Sequence, residues 1–318
     1  MTSRASIQVH GLRKIYPGGV EAVRGLDFEV ASGEVFGLLG PNGAGKSTTI
    51  GMLTTTIVPT AGWARLAGID VATDPIAARR LSAVVFQDAV VDGGRTGRRN
   101  LDTHARLWGV PSAVASRRIT ELATGFGIAA LLDRPVETYS GGERRRLEIV
   151  RALLSQPSVL FLDEPTVGLD PRIRYELLDL IAGLRARNDM TILLTTHYLD
   201  EAEQLCDRVA IVHAGRIVAL DTPAALLANL GREILEVRLY ADARADEGLA
   251  RLRSHRLAGS DAFVIGSTIT VPVHDDSARH TLEAVSDLGL AVAAVTTRPP
   301  TLDDVYLQLT GDRLGAAA

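Results

Sequence analysis

Polar and apolar residues alternate in IQVHG (Ile7–Gly11) and LDFEV (Leu26–Val30), the two-residue period of strands with one buried face. Five other stretches carry no polar face: EVFGLLG (Glu34–Gly40), AVVF (Ala83–Phe86), VLFLD (Val159–Asp163), MTILLTT (Met190–Thr196) and RVAIVHAG (Arg208–Gly215). Such short apolar runs are expected of strands covered on both sides, as in a parallel sheet. Helical periods separate several of them, among them Arg172 to Asn188 and a helix predicted from about Lys46. Strand and helix in alternation predict an α/β domain with a mainly parallel sheet. Between about residues 88 and 154 the strands stop and helical patterns take over, which predicts a helical insertion.

The pattern changes again after Gly231. EILEVRLYA reads as a strand, Ala245 to Leu257 as a helix, and AFVIG with STITVPV as a hairpin about Gly266-Ser267. Ser277 to Leu288 reads as a helix, AVAAVTTR as a strand and TLDDVYLQLTG as a closing helix. That β-α-β-β-α-β order predicts a small α+β domain of ferredoxin-like type. The expected division is a domain at 1–230, insertion included, and an accessory domain at 231–318.

The chain has 318 residues and a formal net charge of −4, so no global field recruits nucleic acid or an anionic membrane. One cysteine, Cys206, excludes an internal disulfide framework and suits a reducing cytosol. The opening MTSRASIQVHGLRK lacks the apolar centre of a secretory signal. The longest apolar runs, such as LAVAAV from Leu290, fall far short of the ~20 residues that span a bilayer. The expectation is a soluble chain whose membrane role would come through a partner.

The segment Gly40-Pro41-Asn42-Gly43-Ala44-Gly45-Lys46-Ser47-Thr48 fits G-x-x-x-x-G-K-[ST] between a predicted strand and a predicted helix, the context that gives the pattern meaning. Its glycines let backbone N–H groups turn inward as an anion cradle at a helix N-terminus. Lys46 would reach the β- and γ-phosphates of a nucleotide, and the Ser47 hydroxyl would hold Mg2+. VLFLDEP supplies the carboxylates. Asp163, at a strand end, is placed for the magnesium shell, while Glu164 points another way, toward an attacking water, as a general base. His197, just after ILLTT, is placed to meet the γ-phosphate from the neighbouring strand end.

A second glycine pair sits in YSGGERRRLEIV, Tyr139 to Val150. Ser140 and Glu143 fit a capping box, but Gly141 and Gly142 are poor helix formers, each about 1 kcal/mol worse than alanine. The three arginines that follow fan around the axis. Arg144 and Glu148 are spaced for an i,i+4 pair, and Leu147, Val150 and Leu154 for a buried stripe. What the glycines provide is bare backbone at the positive end of a helix, where a phosphate can come close. Gly40 to Thr48 already forms one cradle, so two such elements predict two nucleotides. In a head-to-tail homodimer or heterodimer, the second element of one subunit would cover the ATP held by the first element of the other.

This set resembles the nucleotide-binding subunits of ABC transporters over most of Ser6 to Asn229. Their signature motif lies just upstream of the strand that carries the magnesium carboxylate; here Ser140 precedes Asp163 by 23 positions (163 − 140). The resemblance implies a P-loop NTPase (RecA-like) core with an N-terminal antiparallel β subdomain and a helical insertion. It implies that Tyr16, in KIYPGG, stacks on adenine and that Gln87, after AVVF, senses Mg2+ and the membrane partner. It further implies that Asp170, in GLD, communicates across the dimer and that His197 is the switch histidine. Ser140, Gly141, Gly142 and Glu143 would contact ATP from across the interface. KIYPGGVEAVRGLDF, VVFQDAVVD, TGRRNL and the closing RPPTLDDVYLQLTG are most similar to the daunorubicin-resistance type of drug-export ATPase. Two departures stand out. Residues 139–143 read YSGGE where the commonest form is LSGGQ, and Arg99 stands where relatives commonly carry Glu, near the expected contact with the membrane subunit.

The implied function is an ATP hydrolase subunit that powers export of a drug, antibiotic or other hydrophobic compound. Export would run through an integral membrane permease on a separate chain, with the ATPase peripheral to the cytoplasmic face of the cell membrane and no nucleic acid involved. A lipid or polysaccharide exporter, or an importer, shares these motifs, because cargo is bound by another polypeptide. A DNA-acting ATPase of the same dimer logic would need heptad arms or a basic DNA-facing stripe, and a translation factor with paired cassettes a second phosphate loop; the sequence has neither. His255, His274 and His280 lack metal-ligand spacing, so no chemistry is assigned to the accessory domain.

Overall fold

The computed structural model of the protein describes residues 5–188, 190–240, 245–274, 284, 288 and 290–311. The chain divides into two compact units, Met1–Ala219 and Leu220–Ala318. The first runs through β1 (Ala5–Ile15), β2 (Glu21–Ala31), β3 (Val35–Leu39), α1 (Lys46–Leu53), β4 (Ala61–Leu66), β5 (Ile69–Asp70), α2 (Pro75–Leu81) and β6 (Ser82–Val85). It continues with α3 (Gly97–Leu107), α4 (Ser112–Gly125), α5 (Gly141–Leu153), β7 (Val159–Asp163), α6 (Pro171–Asn188), β8 (Thr191–Thr196), α7 (Leu199–Leu205), β9 (Arg208–His213) and β10 (Arg216–Asp221).

Two sheets organise this unit: an antiparallel one in the order β2-β1-β4-β5 and a six-stranded one in the order β10-β9-β3-β8-β7-β6. In the second, β3 runs parallel to β8 and β9, and β7 parallel to β6 and β8. Phe36, Leu38, Leu39, Leu160, Phe161, Leu162, Ile192 and Leu193 are wholly buried, which is why the sequence shows no polar face there. Each such side chain contributes roughly 1.5–3 kcal/mol of burial. The insertion holds α3, α4 and α5, as its helical periods predict.

Strand β1 is longer than its alternation suggests. Val9 pairs with Phe28 but Leu12 with Leu26, so β1 carries one extra residue, at Gly11, whose φ is +54°. That bulge keeps Val9 and Leu12 both buried although they lie three positions apart, and it breaks the two-residue period. Strand β4, AGWARL, escapes the hydropathy pattern for another reason: its core positions are Ala64 and Leu66, too little apolar surface to register. Strand β10 follows β9 through Ala214 and Gly215, both at positive φ (47° and 78°), a tight two-residue hairpin turn.

The second unit contains α8 (Pro223–Ala228), β11 (Glu233–Leu239), α9 (Ala245–Ser254), β12 (Phe263–Ile265), β13 (Thr268–Val273), β14 (Val292–Arg298) and α10 (Leu302–Thr310). Its sheet is antiparallel in the order β12-β13-β11-β14, the strand order of the ferredoxin-like arrangement. Leu235, Val237, Ile269 and Val271 on one face pack against Ala245, Leu249 and Leu252 of α9. The helix expected at Ser277–Leu288 lies almost entirely outside the described residues. The units divide at Ala219/Leu220 rather than near residue 230, because α8 packs against α10 and belongs with the second. Arg298 bridges Glu236 of β11 and Asp304 of α10 at 2.7 and 2.6 Å, so the RPPTLDD segment ties the closing helix to the sheet.

Candidate functional site

The register of the parallel sheet brings the chemistry together. Leu39 pairs with Thr196, and Asp163 with Thr195, so β3, β7 and β8 end side by side. The segments that leave those three ends carry Gly40–Thr48, Asp163-Glu164 and His197. Ligands of open α/β sheets bind beyond the carboxyl ends of strands, and this is such a crevice.

Glycine is required at two points of the phosphate loop. Gly40 has φ +154°, and a Cβ there would lie 2.2 Å from the Val212 carbonyl oxygen; Gly45 has φ +103°, and its Cβ would lie 2.4 Å from the Ala22 carbonyl oxygen. The turn that opens α1 is therefore pressed against β2 and β9 with no room for a side chain. Pro41 is partly exposed, Asn42 and Gly43 are exposed, and Ala44 and Gly45 are buried.

Lys46 is 4% exposed, and its ammonium donates to the carbonyl oxygens of Gly40 (2.7 Å) and Pro41 (3.1 Å) and lies 3.2 Å from Glu164 Oε1. Ser47 Oγ donates to Asp163 Oδ1 at 3.2 Å. Thr195 Oγ1 donates to the same carboxylate oxygen at 2.6 Å and accepts the Glu164 N–H at 3.0 Å. One threonine on the neighbouring strand thus orients Asp163 and fixes the backbone of Glu164. That backbone is left-handed (φ +46°), a conformation non-glycine residues hold at a cost, and the side chain is nonetheless buried. His197 Nδ1 lies 3.5 Å from Glu164 Oε1 and makes no hydrogen bond; its ring centroid is 4.2 Å from that of Tyr198.

Tyr16 follows β1, half-buried, with its hydroxyl 3.4 Å from Thr48 Oγ1 on α1. Gln87 is exposed just beyond β6, the strand next to β7. Asp170 is exposed immediately before α6. The structure therefore brings Lys46, Ser47, Asp163, Glu164 and His197 into one contact network, sets Tyr16 against its edge, and leaves Gln87 and Asp170 on the rim.

Ser140 caps α5. Its Oγ accepts the Glu143 N–H at 3.2 Å while Glu143 Oε2 accepts the Ser140 N–H at 2.8 Å, the reciprocal pair expected. The glycines part company. Gly141 is exposed, and a Cβ on it would make ordinary contact with Leu169 at 3.5 Å; Gly142 is buried, and its Cβ would lie 2.3 Å from Ile173 Cγ2. Close approach of α6 accounts for Gly142, and only Gly141 presents bare backbone without a packing reason. Among the described residues, no hydrogen bond or ion pair joins Ser140–Glu143 to Gly40–Thr48.

Glu148 does not pair with Arg144. It lies 3.2 Å from Arg145, three positions back, and both side chains are buried. Arg145 also donates to the carbonyl oxygens of Phe86 (2.5 Å) and Gln87 (2.8 Å), and Glu148 accepts the Val90 N–H at 2.7 Å. The helix behind Ser140 therefore grips the backbone on both sides of Gln87. Helical spacing allows i+3 and i+4 partners alike, so only the position of that segment decides between them. Burial raises the Glu148 carboxyl pKa and lowers that of the Arg145 guanidinium. Thr195 carries no sequence signal for a plainer reason: it lies near the end of the apolar strand β8 and reads as part of it.

A family profile described as ABC transporter matches residues 23–167. The chain is 43% identical over 314 residues to the daunorubicin/doxorubicin resistance ATP-binding protein DrrA of Streptomyces peucetius, covering 96% of this chain and 92% of that one. It is 38% identical to the Nod factor export ATP-binding protein I of Paraburkholderia xenovorans, covering 96% of this chain and 97% of that one. Among solved structures it is similar to cbiO1 of Clostridium perfringens, part of the ABC transporter complex cbiONQ. That match has a TM-score of 0.66 at 27% identity and covers 71% of this chain and 91% of the other.

Proposed function

Since the chain belongs to the ATP-binding subunits of ABC transporters, and so binds and hydrolyses ATP to serve an export system that works with a membrane permease, we propose that two such subunits close head to tail over two ATP molecules. Gly40–Thr48 of one copy would hold the triphosphate, with Tyr16 against the adenine. Ser140 and Gly141 of the other would close over the γ-phosphate. The observation that carries this reading is the network in which Lys46, Ser47, Asp163 and Glu164 meet at the ends of β3, β7 and β8.

A magnesium ion fits the residues present. Ser47 Oγ, Asp163 and Thr195 Oγ1 are hard oxygen donors, both hydroxyls lying within hydrogen-bonding reach of Asp163, and Mg2+ is bound by one or two carboxylates plus phosphate rather than by a protein cage. Ser47 and Asp163 would hold it, with Gln87 at the rim, and when bound it supplies neutralisation of charge on the β- and γ-phosphate oxygens. Glu164 takes a proton from the attacking water, whose oxygen bonds to the γ-phosphorus as the bond to the β–γ bridging oxygen breaks and ADP leaves. Lys46 binds the γ-phosphoryl oxygens, and His197, beside Glu164, steadies the same group. Preorganised charge and position supply most of such a rate.

No helix among the described residues is long and apolar enough to cross a membrane. Because the family's ATP-binding subunits work with a membrane permease, we place this one on the cytoplasmic face, docked on the permease. The relative of highest identity named above is named for daunorubicin and doxorubicin resistance, which favours a drug, antibiotic or other hydrophobic compound as cargo.

The test uses Glu164→Gln, which would bind ATP and hydrolyse it slowly, with and without Gly141→Asp. Gly141 is chosen because its Cβ has room, whereas a side chain at 142 strikes Ile173. Light scattering should give a dimer with Mg-ATP that the second substitution abolishes. A monomer throughout, with ATP bound, would sink the head-to-tail reading.

A further inference from the structure

Glu201 lies outside the residues assigned to ATP, yet it is among the most deeply buried carboxylates described, with a side chain 1% exposed. A carboxylate in the first turn of α7 is favoured by the helix N-terminus alone. Its neighbour Asp200 already meets that preference and remains half-exposed, so a second, buried charge needs another reason. Burying an ionised carboxylate is costly unless its oxygens are fully engaged.

The partners of Glu201 supply the reason, because they come from two separate segments, the turn after Glu164 and the end of β8. Oε1 accepts the Thr166 hydroxyl at 2.5 Å, and Oε2 accepts the Thr196 hydroxyl at 2.9 Å. Thr166 lies two residues after Glu164, in the turn that leads to Asp170, and is itself 1% exposed. Thr196 directly precedes His197, and its oxygen also accepts the Tyr198 N–H at 2.9 Å, bracketing the histidine. Arg174 of α6 completes the cluster, with Nε 2.8 Å from Glu201 Oε1 and its guanidinium 4.3 Å from the Tyr198 ring centroid. Burial raises the Glu201 pKa, and the two threonine hydroxyls oppose that shift by hydrogen bonding to the ionised form.

We propose that Glu201 is a positioning residue for ATP hydrolysis: its carboxylate clamps the turn that follows Glu164 to the turn that bears His197, and so holds the histidine beside the reacting phosphate. This rests on the role given to His197 under the proposed function. The contacts of Glu201 are with Thr166, Thr196 and Arg174. It acts through Thr166 and Thr196, so its loss should leave ATP binding by Gly40–Thr48 intact and slow only the chemical step.

The experiment measures steady-state kcat and KM for Mg-ATP, and single-turnover release of γ-labelled phosphate, on the full-length chain. The variants are Glu201→Gln and Thr166→Val, each made in the parent and in His197→Ala. Glu201→Gln should lower kcat about tenfold with KM within about twofold, and Thr166→Val should reproduce part of that loss. In His197→Ala neither should add more than about twofold, because groups acting in one unit are not additive. A merely structural role would multiply through both backgrounds alike. The same tenfold loss in His197→Ala, or a loss confined to KM, overturns the proposal. Thr166→Val, which keeps the buried charge, carries the test if Glu201→Gln fails to fold. A parent that binds Mg-ATP without hydrolysing it overturns the proposed function itself, and this inference with it; a parent in which His197→Ala is silent overturns only the route through the histidine.

Discussion

Lys46 Nζ and Glu164 Oε1 stand 3.2 Å apart, both side chains at most 5% exposed, so the cation of the phosphate loop and the proposed general base form one buried ion pair. Neutralising the acid leaves Lys46 with the carbonyl oxygens of Gly40 and Pro41 and takes a negative charge from beside the phosphate position. Glu164→Gln should therefore bind ATP at least as tightly as the parent while hydrolysing it about 10²- to 10⁴-fold more slowly. Equilibrium binding and phosphate release on the same preparation check both halves. Parent-like turnover would remove Glu164 from the chemistry.

Gly142 is a packing glycine by its contact with Ile173. Gly142→Ala should destabilise the chain by about 1–3 kcal/mol through overpacking. Adding Ile173→Ala should cost less in that background than in the parent, since the methyl then has somewhere to go. Gly141→Ala should be nearly silent in the same urea titrations. Equal costs at the two glycines would contradict the packing assignment.

The Arg145–Glu148 pair is buried and shared with the backbone around Gln87. Glu148→Ala should cost about 3–5 kcal/mol, the usual penalty for leaving one partner of a buried pair uncompensated. Arg145→Met combined with Glu148→Leu should cost clearly less than the sum of the single losses. Additive losses in a double-mutant cycle would mean that the two side chains act separately.

His104, on α3, gives the stability curve a sign. Burial, and secondly the Arg151 guanidinium, lower its imidazole from 6.5 to about 4. Because the folded value is the lower one, between pH 6.5 and about 4 the unfolded chain takes up a proton that the folded chain refuses. Stability thus rises with pH across that window and is lost as pH falls through it. The contribution is at most about 3 kcal/mol. His104→Gln should flatten the pH dependence of urea unfolding between 6.5 and 4 relative to the parent, whatever its effect at neutral pH. Parallel curves would refute it.

Much of this architecture was legible because buried strands in a parallel sheet are apolar throughout, and because a phosphate loop must spell itself in glycines. Gly40 and Gly45 could be read as backbone requirements from their spacing alone. Gly142 could not, because the reason for it is Ile173, 31 positions away (173 − 142), and no local pattern announces a helix crossing. The same holds for Glu201: a glutamate in a first turn looks like dipole compensation until Thr166 and Thr196 are seen to converge on it. Strand β4 leaves no period because Ala64 buries too little, and no local pattern marks the division at Ala219/Leu220, because α8 follows β10 in sequence but packs with α10.

The burial of Cys206 has a practical consequence. Its sulfur lies 2.8 Å from where a Cβ of Gly37 would stand, under β3, and burial drives the thiol pKa upward, so at neutral pH it offers almost no thiolate to a reagent. The natural sequence is therefore already a blank for site-directed labelling, with no background cysteine to remove. A single new cysteine at an exposed position such as Val20 or Tyr240 would carry a nitroxide alone. In the proposed head-to-tail dimer, the distance between paired electron spins becomes a ruler for the assembly, read in frozen solution as ATP is added and consumed.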